Sequence, residues 1–292
     1  MASDFPASAF GAFYFKHCCG TPYERSDQWL SIFDRIAGRI AADMSPRRVL
    51  DAGCAFGFLV ERLRDRGVDA YGIDLSPYAI DKVTGAIRPF CRVGSITDDL
   101  GGDYDVVVSI EVAEHIPARD AEAAIVNICA HTSDVLFSST PFDYREPTHI
   151  NVHPPEHWAE LFARQGFFRD VDYDASYILP WAARFRRRQE PIHRLIREYD
   201  RRYWELLQSA NEARGHSIEA QTKHAAEETA RERLALEMEQ LGRDLRSRLD
   251  AEHQRANDLA LRLNQALDTI SHMERSLFWK TRKAWKRITG AH

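Results

Sequence analysis

Two glutamates and three histidines occupy two segments of the chain and could do chemistry on a hydroxyl group. Glu111, Glu114 and His115 fall close enough for their side chains to converge on one helical turn, and His149 and His153 follow further along. Carboxylates and imidazoles can bind a divalent cation. An imidazole, with an unperturbed pKa near neutrality, can also remove a proton from a hydroxyl. These residue types therefore predict activation of a hydroxyl, by a metal ion or by a base.

A glycine-rich loop between an apolar strand and a helix indicates the kind of cofactor that this chemistry would use. Gly53 and Gly57 let the backbone pass close to a ligand, where a Cβ would collide. Asp74 ends a second strand and can accept hydrogen bonds from the two hydroxyls of a ribose. Asp51, before the first glycine, would repel a pyrophosphate but can hold an ammonium group. The pattern indicates a nucleoside-type cofactor with an amino group, lying across the carboxyl ends of parallel strands.

The loop Asp51-Ala-Gly-Cys-Ala-Phe-Gly57 resembles motif I of the class I methyltransferases that use S-adenosylmethionine (SAM). The common form of that motif is D-x-G-x-G-x-G, so Ala55 stands where the middle glycine usually sits. The resemblance covers roughly residues 45–175, and Ser95 stands where the family often has an acidic residue facing the adenine amine. It implies SAM contacts from Asp51, Ala52, Gly53, Gly57, Asp74, Leu75, Ser95, Ile96 and Glu111.

Alternating strand and helix patterns predict the fold. Further strands are expected at 90–96, 105–111 and 134–139, with helices at 59–66, 77–87 and 120–130 and a last one from about Glu156 to Gly166. This order predicts an α/β fold, a Rossmann-like doubly wound sheet of the class I methyltransferases, followed by a long α-helical coiled coil.

The E-x-x-E-H segment with a downstream histidine resembles the small-RNA terminal 2′-O-methyltransferases, in which two glutamates and two histidines hold magnesium. Ubiquinone-type O-methyltransferases have a similar segment. The resemblance implies Mg²⁺ or another divalent metal on Glu111, Glu114, His115 and His149, with His153 as the fallback, and a catalytic set of His115, Glu114 and His149. Two alternatives stay open. His115 could act as a base without metal, and His149 and His153 could be spacers in a proline-rich loop.

The charge distribution and the cysteine content indicate the class of substrate and the cellular compartment. Residues 1–180 carry 16 basic against 27 acidic side chains, whereas residues 181–292 carry 23 against 17. An acidic catalytic half argues against a nucleic-acid substrate, since a phosphate backbone needs a cationic surface. It favours a neutral polyol or glycan. Five unpaired-looking cysteines, with no signal peptide or transmembrane pattern, predict a cytoplasmic protein.

The second half of the chain predicts self-association. Glycine and proline almost vanish after about residue 180, and apolar residues then recur at steps of three and four. The first run is Leu234, Met238, Leu241, Leu245 and Leu249, and the second is Ala256, Leu259, Leu263, Ala266, Ile270, Met273 and Leu277. This narrow seam predicts a coiled coil and a homo-oligomer.

The last residues predict contact with a membrane surface. Six basic side chains and five bulky apolar ones interleave there: Arg275, Lys280, Arg282, Lys283, Lys286 and Arg287, with Leu277, Phe278, Trp279, Trp285 and Ile288. Such a mixture suits the anionic inner face of a membrane, where the protein would be peripheral. A solvated basic tail is the alternative.

Together these observations predict a methyltransferase domain at 1–180, a basic and aromatic helical linker at 181–208, a coiled coil at 209–277 and a tail at 278–292. The layout resembles bacterial methyltransferases of surface-polysaccharide assembly and implies O-methylation of a sugar hydroxyl in a glycan or glycan precursor. Two rival functions are a metal-dependent terminal 2′-O-methyltransferase of RNA and a non-catalytic coiled-coil scaffold capped by a SAM-fold domain.

Overall fold

A computed structural model describes residues 7–289 and contains a seven-stranded sheet flanked by helices. The strands are β1 (Arg48–Ala52), β2 (Asp69–Asp74), β3 (Cys91–Val93), β4 (Val106–Ile110), β5 (Asp134–Ser138), β6 (Phe167–Arg169) and β7 (Ala183–Arg187). Their spatial order is β3-β2-β1-β4-β5-β7-β6, with β7 antiparallel to both neighbours and the other pairs parallel. The order reverses between β1 and β4, which is where such sheets open a ligand crevice.

Eight α-helices lie in the described residues: α1 (Ala12–His17), α2 (Asp27–Met44), α3 (Phe58–Arg64), α4 (Pro77–Lys82), α5 (Ala118–His131), α6 (Pro155–Arg164), α7 (Ile192–Arg275) and α8 (Leu277–Thr289). The predicted doubly wound α/β sheet and the long C-terminal helix are confirmed. The predicted helix at 77–87 is shorter than expected, because Val83 adopts an extended conformation that ends α4.

Two apolar layers cover the two faces of the sheet. Ile36 and Ile40 of α2 pack with Leu59 and Leu63 of α3 on one side. On the other side α5 and α6 pack against the sheet, for example through Phe162, which stacks on Phe185 at 4.3 Å between ring centroids. With both faces covered, the parallel strands have to be apolar on each side, as the burial of β1, β4 and β5 reflects.

The predicted helical linker at 181–208 is wrong in its first part, because residues 183–187 form β7 inside the sheet. Ala183 and Phe185 face the core, while Arg184 and Arg186 on the opposite face form ion pairs with Asp134 and Asp170. These partners explain why a basic segment can lie in a sheet. The chain divides into two compact units, Met1–Glu205 and Leu206–His292, so the first unit extends beyond the predicted boundary at 180.

The second unit consists of the remainder of α7, then α8. Within its described residues the apolar seam is exposed, from Leu234 (57%) through Leu263 (61%) to Met273 (48%). The step from Leu245 to Leu249 inserts four residues into the heptad, a stutter that locally unwinds a coiled coil. The predicted tail 278–292 lies partly outside the described residues, as do the side chains of Trp279 and Ile288. No helix in the described part of the chain is both long and apolar enough to cross a membrane.

Candidate active site

The loop after β1 approaches the crevice with three left-handed residues. Gly53 has φ +98°, Gly57 has φ +73° and Ala55 has φ +45°. A Cβ on Gly53 would lie 2.3 Å from Cγ2 of Val112, so no larger residue fits there. Ala55 adopts the left-handed conformation despite its Cβ, which accounts for the glycine that usually stands at its position in the motif.

A buried carboxyl group, that of Asp51, and a half-buried one, that of Asp74, face the loop. Asp74 accepts hydrogen bonds from the backbone N–H groups of Ala55 and Ser76, both at 2.8 Å, and these fix its orientation. Each carboxylate oxygen keeps a further lone pair for a ligand. Asp51 is 5% exposed, and burial raises its pKa to about 8, with the Asp74 carboxylate adding to the shift. Asp51 is therefore protonated at neutral pH until a cationic group reaches it.

A cavity of about 650 Å³ runs from this loop to the end of β4. It brings together most of the residues predicted for the cofactor and the chemistry: Asp51, Gly53, Asp74, Leu75, Ser95, Ile96, Glu111, Glu114, His115 and His149. Ala52 and Gly57 do not line it. Ala52 is buried in β1, and Gly57 precedes the first residue of α3.

Glu111, Glu114 and His115 do not share one helical turn as predicted. Glu111 follows β4 with φ +55°, a strained conformation for a side-chain-bearing residue, and only then does a short 3-10 turn hold Ala113–His115. The indole N–H of Trp181 donates to Oε1 of Glu111 at 3.0 Å, which holds that carboxyl group at the cavity wall. Burial raises the pKa of Glu111.

Glu114 is completely buried, and neither of its carboxyl oxygens makes a hydrogen bond of normal geometry. Burial raises its pKa well above the usual value, and the nearby carboxylate of Glu111 adds to this. One ligand atom each from Glu114, His115 and His149 all lie within 4.8 Å of one another. An unpartnered buried carboxyl beside two imidazoles has the donor set of a divalent metal site.

The tautomers of both histidines follow from their backbone contacts. Nδ1 of His149 lies 2.8 Å from the carbonyl oxygen of Asp143, and Nδ1 of His115 lies 3.3 Å from that of Thr148. A carbonyl can only accept, so Nδ1 carries the proton in each ring and Nε2 offers a lone pair. Burial lowers the pKa of His115 to about 4, and His149 contributes to this, so His115 is neutral at pH 7.

His153 lies away from this cluster. Its Nε2 is 2.9 Å from Oδ1 of Asn151, and its ring stacks on His157 at 3.8 Å. The backbone N–H of Asn151 donates to the carbonyl of Glu114, and its side-chain amide donates to that of Ala113. Asn151 thereby ties the histidine loop to the 3-10 turn.

Residues that the sequence analysis did not assign to the chemistry complete the site. The Tyr14 hydroxyl lies 3.1 Å from Nε2 of His115, so the N-terminal arm reaches the cluster and lines the cavity. Thr148 contacts Nδ1 of His115 through its hydroxyl at 2.9 Å and also donates to Glu146. The aromatic residues Tyr14 and Tyr23, on either side of the turn Gly20-Thr-Pro22, are the sequence signal that could have indicated that this N-terminal arm reaches the site.

A nucleoside-type crevice at the reversal of an α/β sheet, closed by an acidic and imidazole cluster, defines the class of protein. A family model described as "methyltransferase domain" matches residues 23–168, half of the 292-residue chain. The chain belongs to this family, the class I SAM-dependent methyltransferases.

Curated relatives match over the same region. The ubiquinone biosynthesis O-methyltransferase of Methylococcus capsulatus is 31% identical over 109 residues, which cover 33% of this chain and 44% of the relative. The magnesium-protoporphyrin O-methyltransferase of Rhodobacter capsulatus is 30% identical over 110 residues, covering 35% and 49%. The chain thus spans about half the length of the curated relatives it matches.

Solved structures with the same kind of domain are more distant in sequence. The SAM-bound magnesium protoporphyrin IX methyltransferase of Synechocystis PCC 6803 is 17% identical, with a TM-score of 0.49 over 62% of this chain and 97% of that one. A SAM-bound amino pentose methyltransferase of Micromonospora echinaspora is 17% identical, with a TM-score of 0.46 over 56% and 93%.

Proposed function

We propose that the protein is a SAM-dependent O-methyltransferase whose acceptor hydroxyl is prepared at Glu111, Glu114, His115 and His149. The observation that carries the proposal is that one cavity joins the motif I loop to this cluster at the carboxyl end of β4. The names of the matched curated relatives, both O-methyltransferases, support transfer to oxygen.

The cofactor end of the cavity suits SAM. Asp51 would accept hydrogen bonds from the amino group, and that cation would restore the carboxylate which burial now keeps protonated. Asp74, already fixed by two backbone N–H groups, would accept from the ribose hydroxyls with its remaining lone pairs. Ser95 and Ile96, which also line the cavity, would border the adenine.

The acceptor end suits a divalent metal better than a simple base. Glu114, His115 and His149, whose ligand atoms cluster, would hold the ion. Glu111 is not in this cluster but lines the same cavity, and it would complete the set. Such an ion, Mg²⁺ or Mn²⁺, would lower the pKa of an acceptor hydroxyl and orient it. His115 would have to release the Tyr14 hydroxyl, which now faces its Nε2.

The pKa of His115 supports a metal over a simple base. His115, with a pKa of about 4, is a weak general base near neutral pH, since the best catalytic pKa lies close to the working pH. The same low pKa keeps its lone pair available to a metal. Glu114, unpartnered and fully buried, would regain its charge next to a cation.

The acceptor we propose is a neutral hydroxyl-bearing ring, and in particular a sugar hydroxyl of a glycan or glycan precursor. The excess of acidic over basic side chains in residues 1–180 supports an uncharged acceptor over RNA. Vicinal hydroxyls would suit a metal that keeps two open positions.

The test is transfer of a labelled methyl group from SAM to catechol and to methyl glucopyranoside, with Mg²⁺, with Mn²⁺ and after treatment with EDTA. We expect metal-dependent transfer that Glu114→Gln abolishes while SAM affinity is preserved. Glu122→Gln, on an exposed carboxyl that pairs with Arg164, is the matched control and should keep activity. Methyl transfer that survives both EDTA and Glu114→Gln would contradict the metal-dependent mechanism and indicate that His115 acts as the base.

We also propose that the C-terminal helix associates with a second copy of this chain. Its exposed apolar seam is one side chain wide and repeats at heptad spacing on both sides of the stutter. Other apolar residues, such as Leu261, lie outside the seam without a regular repeat. In a coiled coil, a seam of this width is buried against the seam of a partner helix. In α8, Leu277, Phe278 and Trp285 are exposed beside five basic residues, which supports contact with an anionic membrane surface.

A further inference from the structure

A second cavity, of about 290 Å³, has Trp181 in its wall. Its walls come from the ends of β5 and β6, the first turn of α6, β7 and the start of α7, all within the first compact unit. The function proposed above assigns it no role.

Two wall residues of the second cavity contact the acceptor end of the main one. Trp181 lines it and donates its indole N–H to Glu111. Ser139 lines it too, and its hydroxyl lies close enough to Glu114 to moderate the pKa of that carboxyl. Two wall residues of the second cavity therefore each touch one carboxyl of the proposed metal site.

A buried polar atom of the cavity wall has no hydrogen-bond partner. It is the indole nitrogen of Trp158, a residue that is 2% exposed. A buried N–H without an acceptor costs free energy, and it points to a ligand that supplies one.

The chemistry of the walls defines the ligand class. The buried part is aromatic, with Phe137, Trp158 and Phe185, and holds no charged side chain, whereas Glu156 and Arg169 stand at the exposed mouth. Aromatic faces pack against flat rings, and an uncharged interior excludes ions.

We propose that this cavity is the acceptor subsite, and that it binds an uncharged six-membered ring with neighbouring oxygen substituents. One oxygen accepts the Trp158 indole N–H, and another reaches past Ser139 and Trp181 toward Glu114 and Glu111. This inference rests on the proposed function for its biological meaning. Ring binding itself requires neither SAM nor a metal.

The experiment follows the indole N–H resonances of the ¹⁵N-labelled full-length protein, which has six tryptophans. Trp158→Phe assigns the Trp158 signal and keeps an aromatic ring in place. Catechol and methyl glucopyranoside are titrated separately, without SAM. We expect one of them to shift the Trp158 signal saturably, which also tells a phenolic acceptor from a sugar. Trp158→Phe should weaken its binding about tenfold.

A second variant fills the cavity without removing a polar group. Ala159→Leu, on the wall contributed by α6, should abolish ring binding, whereas Trp204→Phe, at an exposed site elsewhere in the unit, should leave it unchanged. The other indole signals report whether each variant is folded. Wild-type affinity in folded Trp158→Phe and Ala159→Leu, or no shift with either ring, overturns the proposal. Loss of SAM binding with ring binding intact would overturn the proposed function instead.

Discussion

Replacing Asp51 with asparagine should stabilise the unliganded protein, although it removes a residue that we propose binds SAM. Asp51 has a pKa of about 8 in the folded protein, raised mainly by burial, against about 3.9 in an unfolded chain. Between these values the folded state binds a proton that the unfolded state releases, so stability falls as pH rises. At pH 7 the cost is about 4 kcal/mol, and asparagine carries no such charge.

The assay is thermal unfolding of wild type and Asp51→Asn at several pH values without ligand, compared as a difference. Relative to wild type, the variant should gain no stability near pH 4 and the most above pH 7. A gain of about 4 kcal/mol corresponds to a rise in Tm of roughly 10 °C for a unit of this size. A variant that is less stable at neutral pH, or a difference that does not change with pH, would refute the argument from burial.

Three further predictions concern the loop, the seam and the histidine cluster. Gly53→Ala should lower stability by at least about 2 kcal/mol in thermal unfolding, because its Cβ would lie 2.3 Å from Val112; an unchanged Tm would contradict this. Leu263→Asp, on the seam, should give monomers in analytical ultracentrifugation, whereas Leu261→Asp, off the seam and similarly exposed, should not. The same oligomeric state in both variants would contradict association through a coiled coil. The pKa of His115 is lowered to about 4 in the folded protein, so the unfolded chain binds the proton first as pH falls. The wild-type protein should therefore lose up to about 3 kcal/mol of its free energy of unfolding between pH 6.5 and pH 4. His115→Gln should lack this part of the acid sensitivity, and an equal loss in the variant would contradict the assignment.

The parts of the fold that the sequence predicted are those in which local pattern and buried position agree. Gly53 and Asp74 could be recognised because the loop needs particular residue types at fixed spacing. The strand β7 could not, because Arg184 and Arg186 look like surface residues until Asp134 and Asp170 supply their partners. Such ion pairs depend on tertiary contacts.

The site shows the same division. Spacing along the chain favoured His149 over His153, and the cluster with Glu114 includes His149. The contact between Tyr14 and His115 joins residues 101 positions apart, so no local pattern could reveal it. The hydrogen bond from Trp181 to Glu111 was likewise hidden, because the segment that carries Trp181 was predicted to be a helical linker.

The most direct test of the central claim is calorimetric titration of SAM into the full-length protein, with Asp74→Ala as the comparison. We predict saturable binding of one SAM per chain in wild type and its loss in the variant, because Asp74, fixed by two backbone N–H groups, is the carboxylate that we propose binds the ribose. The absence of any binding heat at millimolar SAM, with the wild-type protein folded, would contradict the account.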